Sequence, residues 1–303
     1  MADGNPMLRD GTTGDWIGTF LGHKGACWQG RLSSDGNLAA TASADFTAKV
    51  WDTQTGECLH TFQHPHIVRA IALPHHPNPQ VLATGGFDKK LMLYEIANSR
   101  ASSSSSSPEH STFNKAQNAQ KSTPAGYEIG AESHQGAIKS VHWAQDSNTL
   151  ITACEDKYIR WFDVRTRIPI TSVRLDGALG SCELSNTLST LSVAAGNTAY
   201  FFSGSTPGQL LQSVTQPTDI VSVAVHEGER KYATGSNQDT WIRVWDLDAG
   251  PAQTELDTWK GHHGPIWSLE FSPDGKACAS GSEDGTVKLW KFCEGPHGLW
   301  KLG

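Results

Sequence analysis

The stretch Ala279-Ser280-Gly281-Ser282-Glu283-Asp284-Gly285-Thr286-Val287-Lys288-Leu289-Trp290 closes on an aromatic residue six positions after an aspartate. That spacing returns along the chain. Thr41-Ala42-Ser43-Ala44-Asp45 leads to Lys49-Val50-Trp51-Asp52, and Asp239-Thr240-Trp241-Ile242-Arg243-Val244-Trp245-Asp246 repeats it. Looser copies run from Asp88 to Tyr94 and from Asp156 to Phe162. Five recurrences of one spacing define an internal repeat, the feature to settle before any other. In three copies a histidine stands 28 residues ahead of the closing aromatic: His23 before Trp51, His134 before Phe162 and His262 before Trp290.

The closing aromatics set the period. Trp51 to Tyr94 is 43 residues and Trp245 to Trp290 is 45. The 83 residues from Phe162 to Trp245 leave room for a degenerate copy ending near Phe202, and the 68 from Tyr94 to Phe162 hold one period plus an insert. A period of about 40–45 residues with Gly-His and Trp-Asp marks is the signature of a β-propeller, one four-stranded blade per repeat. Val141/Trp143 and Val223/Val225 alternate as strands buried between blades do. Ser34-Asp35-Gly36 and Ser272-Pro273-Asp274-Gly275 supply turns. The reading is a single all-β domain over residues 1–303, of the seven-bladed type, with a partial blade at 1–20 and repeats near 21–62, 63–132, 133–173, 174–214, 215–259 and 260–303. Asp3 precedes Arg9 by six, so Asp3 to Gly14 reads as the end of a blade whose two inner strands are missing. Either the chain is truncated at its start or the ring keeps a notch, which the segment Gly298 to Leu302 could seal.

Composition agrees. The 303 residues include 30 Gly and 11 Trp but three Met, and 18% are charged. A charged share below the usual ~25% and abundant turn-formers favour short strands over helices. No window approaches about 18 consecutive apolar residues, so a membrane-spanning helix is not expected. Twenty-four Lys and Arg against 31 Asp and Glu give a net charge of −7, with no basic run; this argues against direct nucleic-acid binding driven by phosphates. Six scattered cysteines without C-x-x-C read as free thiols in a reducing compartment. The polar start from Met1 to Arg9 lacks the apolar segment of a secretory leader, which leaves a cytoplasmic and nuclear location as the expectation. Residues 99–126 contain six successive serines, Ser102 to Ser107, and read as a disordered surface insert.

Two readings compete for the recurring polar residues. His262, Ser280, Asp284 and Trp290 invite a hydrolase interpretation, but the set returns as His23, Thr41, Asp45, Trp51 and as His134, Thr152, Asp156, Phe162. Catalytic sites are not repeated blade by blade, so these are read as structural tetrads whose polar atoms satisfy one another. Phe162 and Tyr94 lack the indole donor, which predicts looser blades there. His64, His66, His75 and His76 match no zinc spacing, and no nucleotide, zinc-protease or hydrolase motif occurs. No cofactor and no enzymatic activity are expected.

A partner site is expected on the narrow top face. In each repeat the first strand lies nearest the central channel, and a bulge after its buried apolar position turns one side chain onto that face. These are Trp28, Arg69, Lys139, Val221 and Trp267. The residue before each repeat's aspartate, Ala44, Phe87, Glu155, Gln238 or Glu283, adjoins it. Trp267, Trp28, Arg69 and Phe87 are expected to form one arc of the residue types that dominate interface hot spots. The alternative is that either tryptophan packs between blades.

The blocks Gly14 to Ala26, Ala44 to Asp52, Gly264-Pro265-Ile266, Phe271 to Gly275, Ala279 to Thr286 and Gly298-Leu299-Trp300-Lys301 resemble the serine-threonine kinase receptor-associated (unr-interacting) protein family of WD40-repeat proteins. The resemblance covers nearly the whole chain outside the Ser-rich insert. It implies a non-enzymatic scaffold, monomeric within a hetero-complex, whose partners are other proteins. In animals such proteins join the complex that loads Sm proteins onto spliceosomal RNA, contact a cold-shock-domain RNA-binding protein and modulate receptor-kinase signalling. The insert departs from the animal form and points to a fungal member, which makes assembly of RNA–protein complexes the better transfer. The i-subunit of translation initiation factor 3 is a more distant likeness, and an RNA-binding propeller a further alternative.

Overall fold

Short apolar alternations interrupted by Gly- and Asp-rich turns can bury one face only by stacking sheet on sheet. The computed structural model, which describes residues 4–96, 126–185, 187–250 and 253–292, shows seven antiparallel sheets and no α-helix among those residues. Blade one is a pair, β1 (Met7–Arg9) and β2 (Trp16–Thr19). Blade two holds β3 (Cys27–Leu32), β4 (Leu38–Ser43), β5 (Thr47–Asp52) and β6 (Cys58–Gln63). Blade three holds β7 (Val68–Ala72), β8 (Val81–Gly86), β9 (Leu91–Glu95) and β10 (Tyr127–Ile129). Blade four holds β11 (Ile138–Trp143), β12 (Thr149–Cys154), β13 (Tyr158–Asp163) and β14 (Pro169–Arg174). Blade five holds β15 (Leu179–Leu184), β16 (Thr190–Ala195), β17 (Thr198–Ser203) and β18 (Leu210–Thr215). Blade six holds β19 (Ile220–His226), β20 (Lys231–Ser236), β21 (Ile242–Asp246) and β22 (Glu255–Trp259), and blade seven β23 (Ile266–Phe271), β24 (Ala277–Ser282) and β25 (Val287–Lys291). Asp3, Cys293, the segment Gly298 to Leu302 and the insert up to residue 125 lie outside the described residues.

Every residue of β4, β12 and β16 is buried, because a second strand has another blade on each side. Apolar clusters fill the space between blades; Trp161 of blade four meets Leu191, Val193 and Phe202 of blade five in one of them. Strand β10 stops at Ile129, since Gly130 and Glu132 both turn into the left-handed region, at φ of 60° and 62°.

Inner strands follow one another round the ring, β3 beside β7, β7 beside β11, then β15, β19 and β23. Between β23 and β3 the described residues supply no inner strand. The walls of that sector leave Leu32, Trp267, Val287 and Leu289 exposed, Val287 to 65%. Across the channel, Arg31 of β3 reaches Glu183 of β15 at 2.5 Å, a contact between residues 152 positions apart.

Two local features recur. Each inner strand has one register break, and it falls on Trp28, Arg69, Lys139, Val221 and Trp267, and on Gly180–Ser181 in blade five. The turn between second and third strands needs a positive φ on one residue: Phe46 (68°), Lys89 (62°), Lys157 (69°), Gly196 (58°), Thr240 (58°) and Gly285 (79°). Only two of these six are glycine, the residue that meets the requirement without strain.

Candidate interaction surface

In blade two the polar set closes into a chain. Trp51 Nε1–H donates to Thr41 Oγ1 (2.8 Å), Thr41 Oγ1 lies 2.7 Å from His23 Nε2, and His23 Nδ1 lies 2.8 Å from Asp45 Oδ2. One proton arrangement satisfies every atom: the threonine hydroxyl donates to Nε2, and a neutral imidazole donates from Nδ1 to the carboxylate. The environment agrees with that charge state. Burial holds the His23 imidazole below its ordinary value against the pull of Asp45. Burial alone would raise the Asp45 carboxyl, but hydrogen bonds from the Thr47 hydroxyl, the Lys24 N–H and His23 hold it down to about 2.

Blade seven repeats the arrangement. Trp290 Nε1–H donates to Ser280 Oγ (2.7 Å), which lies 2.7 Å from His262 Nε2, while His262 Nδ1 lies 2.9 Å from Asp284 Oδ2. Thr41 and Ser280 are closed to solvent at 2% and 1% exposure, and both hydroxyls are engaged on two sides. Neither is presented to a substrate as a nucleophile would be.

Blade four departs from the expected tetrad. His134 Nε2 lies 2.9 Å from Thr152 Oγ1, but Asp156 turns from the imidazole to Arg160, 2.9 Å away, and to the Gln135 N–H at 3.0 Å. Phe162 gives no donor. Blade six lacks the histidine, and there too an arginine holds the aspartate: Trp245 donates to Thr234 (2.9 Å), and Asp239 is paired with Arg243. The aspartate's partner follows the residue four positions after it. Where it is lysine, the ammonium bonds elsewhere, Lys49 to Thr61 (2.9 Å) and Lys288 to the Gly261 carbonyl (2.5 Å), and histidine keeps the carboxylate. Where it is arginine, the planar fork reaches back and takes it. Blade three keeps a loosened histidine arrangement: His64 Nε2 is 3.3 Å from Thr84 Oγ1, and His64 Nδ1 stands 3.6 Å from Asp88 Oδ2, too far for a hydrogen bond.

On the top face the structure gathers part of the expected set. Trp28 is 49% exposed and Phe87 36%. The Arg69 guanidinium lies 4.9 Å from the Trp28 ring centre and 5.6 Å from that of Phe87. Its Nη1 bonds Glu155 of blade four at 2.8 Å. The bulge residues of blades two and three and the pre-aspartate residues of blades three and four therefore make one cluster. Lys139 is half-buried and donates to the Leu179 carbonyl of blade five (2.6 Å), which draws it along the channel mouth. Trp267 is exposed on the far wall of the open sector, and among the described residues it makes no ring or cation contact with Trp28, so the expected arc is interrupted there. Glu283 lies at its turn, its N–H bonded to the Pro265 carbonyl (3.0 Å). Sequence reading missed Phe46 and His66, which extend the cluster; Phe46 follows the aspartate, where only backbone conformation shows that a side chain is held outward.

The family model for the WD domain, G-beta repeat, matches residues 14–52, 56–95, 129–163 and 253–291. The chain is 38% identical over 300 residues to the serine-threonine kinase receptor-associated protein of Gallus gallus, covering 99% of this chain and 76% of that one. It is 33% identical over 290 residues to the protein of the same name from Dictyostelium discoideum, covering 95% and 88%. Eukaryotic translation initiation factor 3 subunit I of Culex quinquefasciatus is 27% identical over 305 residues, covering 96% and 88%.

Proposed function

Because the chain belongs to the serine-threonine kinase receptor-associated protein family of WD40-repeat proteins, we propose that it is a non-catalytic scaffold that helps assemble RNA–protein complexes of the Sm type. It acts in cytoplasm and nucleus as a single copy within a hetero-complex, binding proteins rather than RNA. The observation that carries the reading is the exposed cluster of Trp28, Arg69, Phe87 and Glu155, which joins three blades on one face and uses the side chains enriched at interface centres. The buried hydroxyls of the repeated polar sets support a holding role over a chemical one. The likeness to a subunit of initiation factor 3 favours, as the second reading, a scaffold in a translation complex.

Affinity purification of the tagged full chain from its own host tests both. The expected result is recovery of Sm-assembly factors, with Trp28→Ala and Arg69→Ala each weakening their binding by about 2 kcal/mol or more at unchanged melting temperature. Recovery of initiation factor 3 subunits instead establishes the second reading. Recovery of neither refutes both.

A further inference from the structure

We propose that the top face over blades two to four is a docking groove for a peptide segment in which an acidic side chain adjoins an aromatic or aliphatic one. The proposal rests on the scaffold reading above and names the chemistry of what the scaffold holds.

The row of side chains is continuous. The Phe46 ring lies 5.7 Å from that of His66, and His66 stacks on Phe87 at 5.6 Å with the planes 18° apart. From Phe87 the run continues through Arg69 to Trp28, so five flat side chains from blades two and three line up in contact. Phe46 is 42% exposed, which adds a third solvent-facing aromatic to Trp28 and Phe87. A connected apolar surface of this kind on a soluble chain marks a contact site.

Phe46 carries a second signal. Its φ of 68° puts a bulky residue in the left-handed region, and it is the one aromatic side chain at a turn position held by Lys89, Lys157 and Thr240 in blades three, four and six and by Gly196 and Gly285 in blades five and seven. Folding alone favours glycine there. Among the described residues the phenyl ring belongs to no core cluster; it lies over His66 and faces solvent, open to contact from outside.

The charges select the occupant. Arg69 and Lys139 stand against one carboxylate, Glu155, the ion-pair partner of Arg69 among the described residues. Glu155 takes one of five guanidinium donors, and the flanking rings of Trp28 and Phe87 hold the plane. Burial, and then the Arg69 charge, pull the Lys139 ammonium below its ordinary value. A carboxylate delivered to Arg69 and Lys139 balances the local charge, while its apolar neighbour covers the ring of Trp28 or Phe87. A strand of RNA is a poorer match: it needs several unpaired cations along its backbone. Here the net charge is −7, and a carboxylate sits in the middle of the site.

The probe is a displayed library of random 12-residue peptides, selected on the full chain and counter-selected on Arg69→Glu, with oligouridylate as a separate arm. The expected outcome is enrichment of Asp or Glu beside Phe, Leu, Ile or Trp. By fluorescence anisotropy the selected peptides then bind wild type at least tenfold more tightly than Arg69→Glu or Phe87→Ala, with melting temperatures unchanged. Enrichment of Lys or Arg, binding without charge preference, no enrichment at all, or preferential binding of oligouridylate each overturns the proposal. If Trp28→Ala still abolishes recovery of Sm-assembly factors after such a failure, the scaffold reading stands and the partner chemistry falls. If acidic peptides bind while no assembly factor is recovered, the reverse holds.

Discussion

Thr41→Val removes one oxygen from the middle of the blade-two chain while keeping the shape of the side chain. Two buried groups then lose a partner: the Trp51 Nε1–H, 2.8 Å from that oxygen, and the His23 Nε2 lone pair, 2.7 Å from it. An orphaned buried donor or acceptor costs roughly 1–3 kcal/mol, and no cavity adds to it, so the loss is about 3 kcal/mol. Thr152→Val is the internal control. Phe162 offers no donor there, so only the 2.9 Å contact with His134 is lost, and about half that destabilisation follows. In calorimetric or thermofluor melts the two variants should fall by roughly 6–10 °C and 3–4 °C. Trp51→Phe converts blade two to the composition of blade four, so in that background Thr41→Val should shrink to the smaller loss, a coupling of about 1–2 kcal/mol in a double-mutant cycle. Equal losses from Thr41→Val and Thr152→Val, or a cycle that closes to zero, would refute the continuous chain.

Burial pushes the His134 and His142 imidazoles down to about 4, against an unfolded value near 6.5. The unfolded chain takes up those protons first, so stability is full above pH 6.5 and is lost as pH falls towards 4; urea midpoints should show it, with a shallower fall in His142→Gln. Arg160→Met removes the cation paired with Asp156, 10% exposed, and leaves that carboxylate the Gln135 and Tyr158 N–H donors; it should destabilise by about 1–3 kcal/mol. Lys49→Met, whose aspartate stays with His23, should change the unfolding free energy obtained from urea melts by less than about 1 kcal/mol. Phe46→Gly relieves the left-handed strain and should hold or raise the melting temperature, while weakening partner recovery in the purification described above.

The fold was legible because its marks are local. The six-residue step from Asp45 to Trp51 is fixed by one hairpin, and strand alternation fixes which side of each inner strand Cys27, Val68 or Ile266 occupies. The site was less legible because its contacts join different blades. Nothing near Arg69 in the chain names Glu155 as its partner, 86 residues on, or sets Trp28 beneath its guanidinium. The exchange of histidine for arginine at Asp156 also escaped the pattern. The aspartate looks the same in every copy, and the deciding residue, Arg160, occupies a variable position opposite Ser172. Trp267 stands apart from the cluster because the sector between blades seven and two, where the repeat count already lacks two inner strands, holds no described inner strand to carry the run across to Trp28.

The bond between Arg31 and Glu183 gives the molecule a timetable. Residues 152 positions apart leave the ribosome about 8–30 s apart at ordinary rates of synthesis. Blade two can pair all four of its strands long before then, yet its guanidinium waits, unmatched, until blade five emerges across the ring. A nascent chain halted ahead of Glu183 therefore holds three finished blades without a clasp, and cellular quality control meets this protein first as an open arc with a bare positive charge on its concave side.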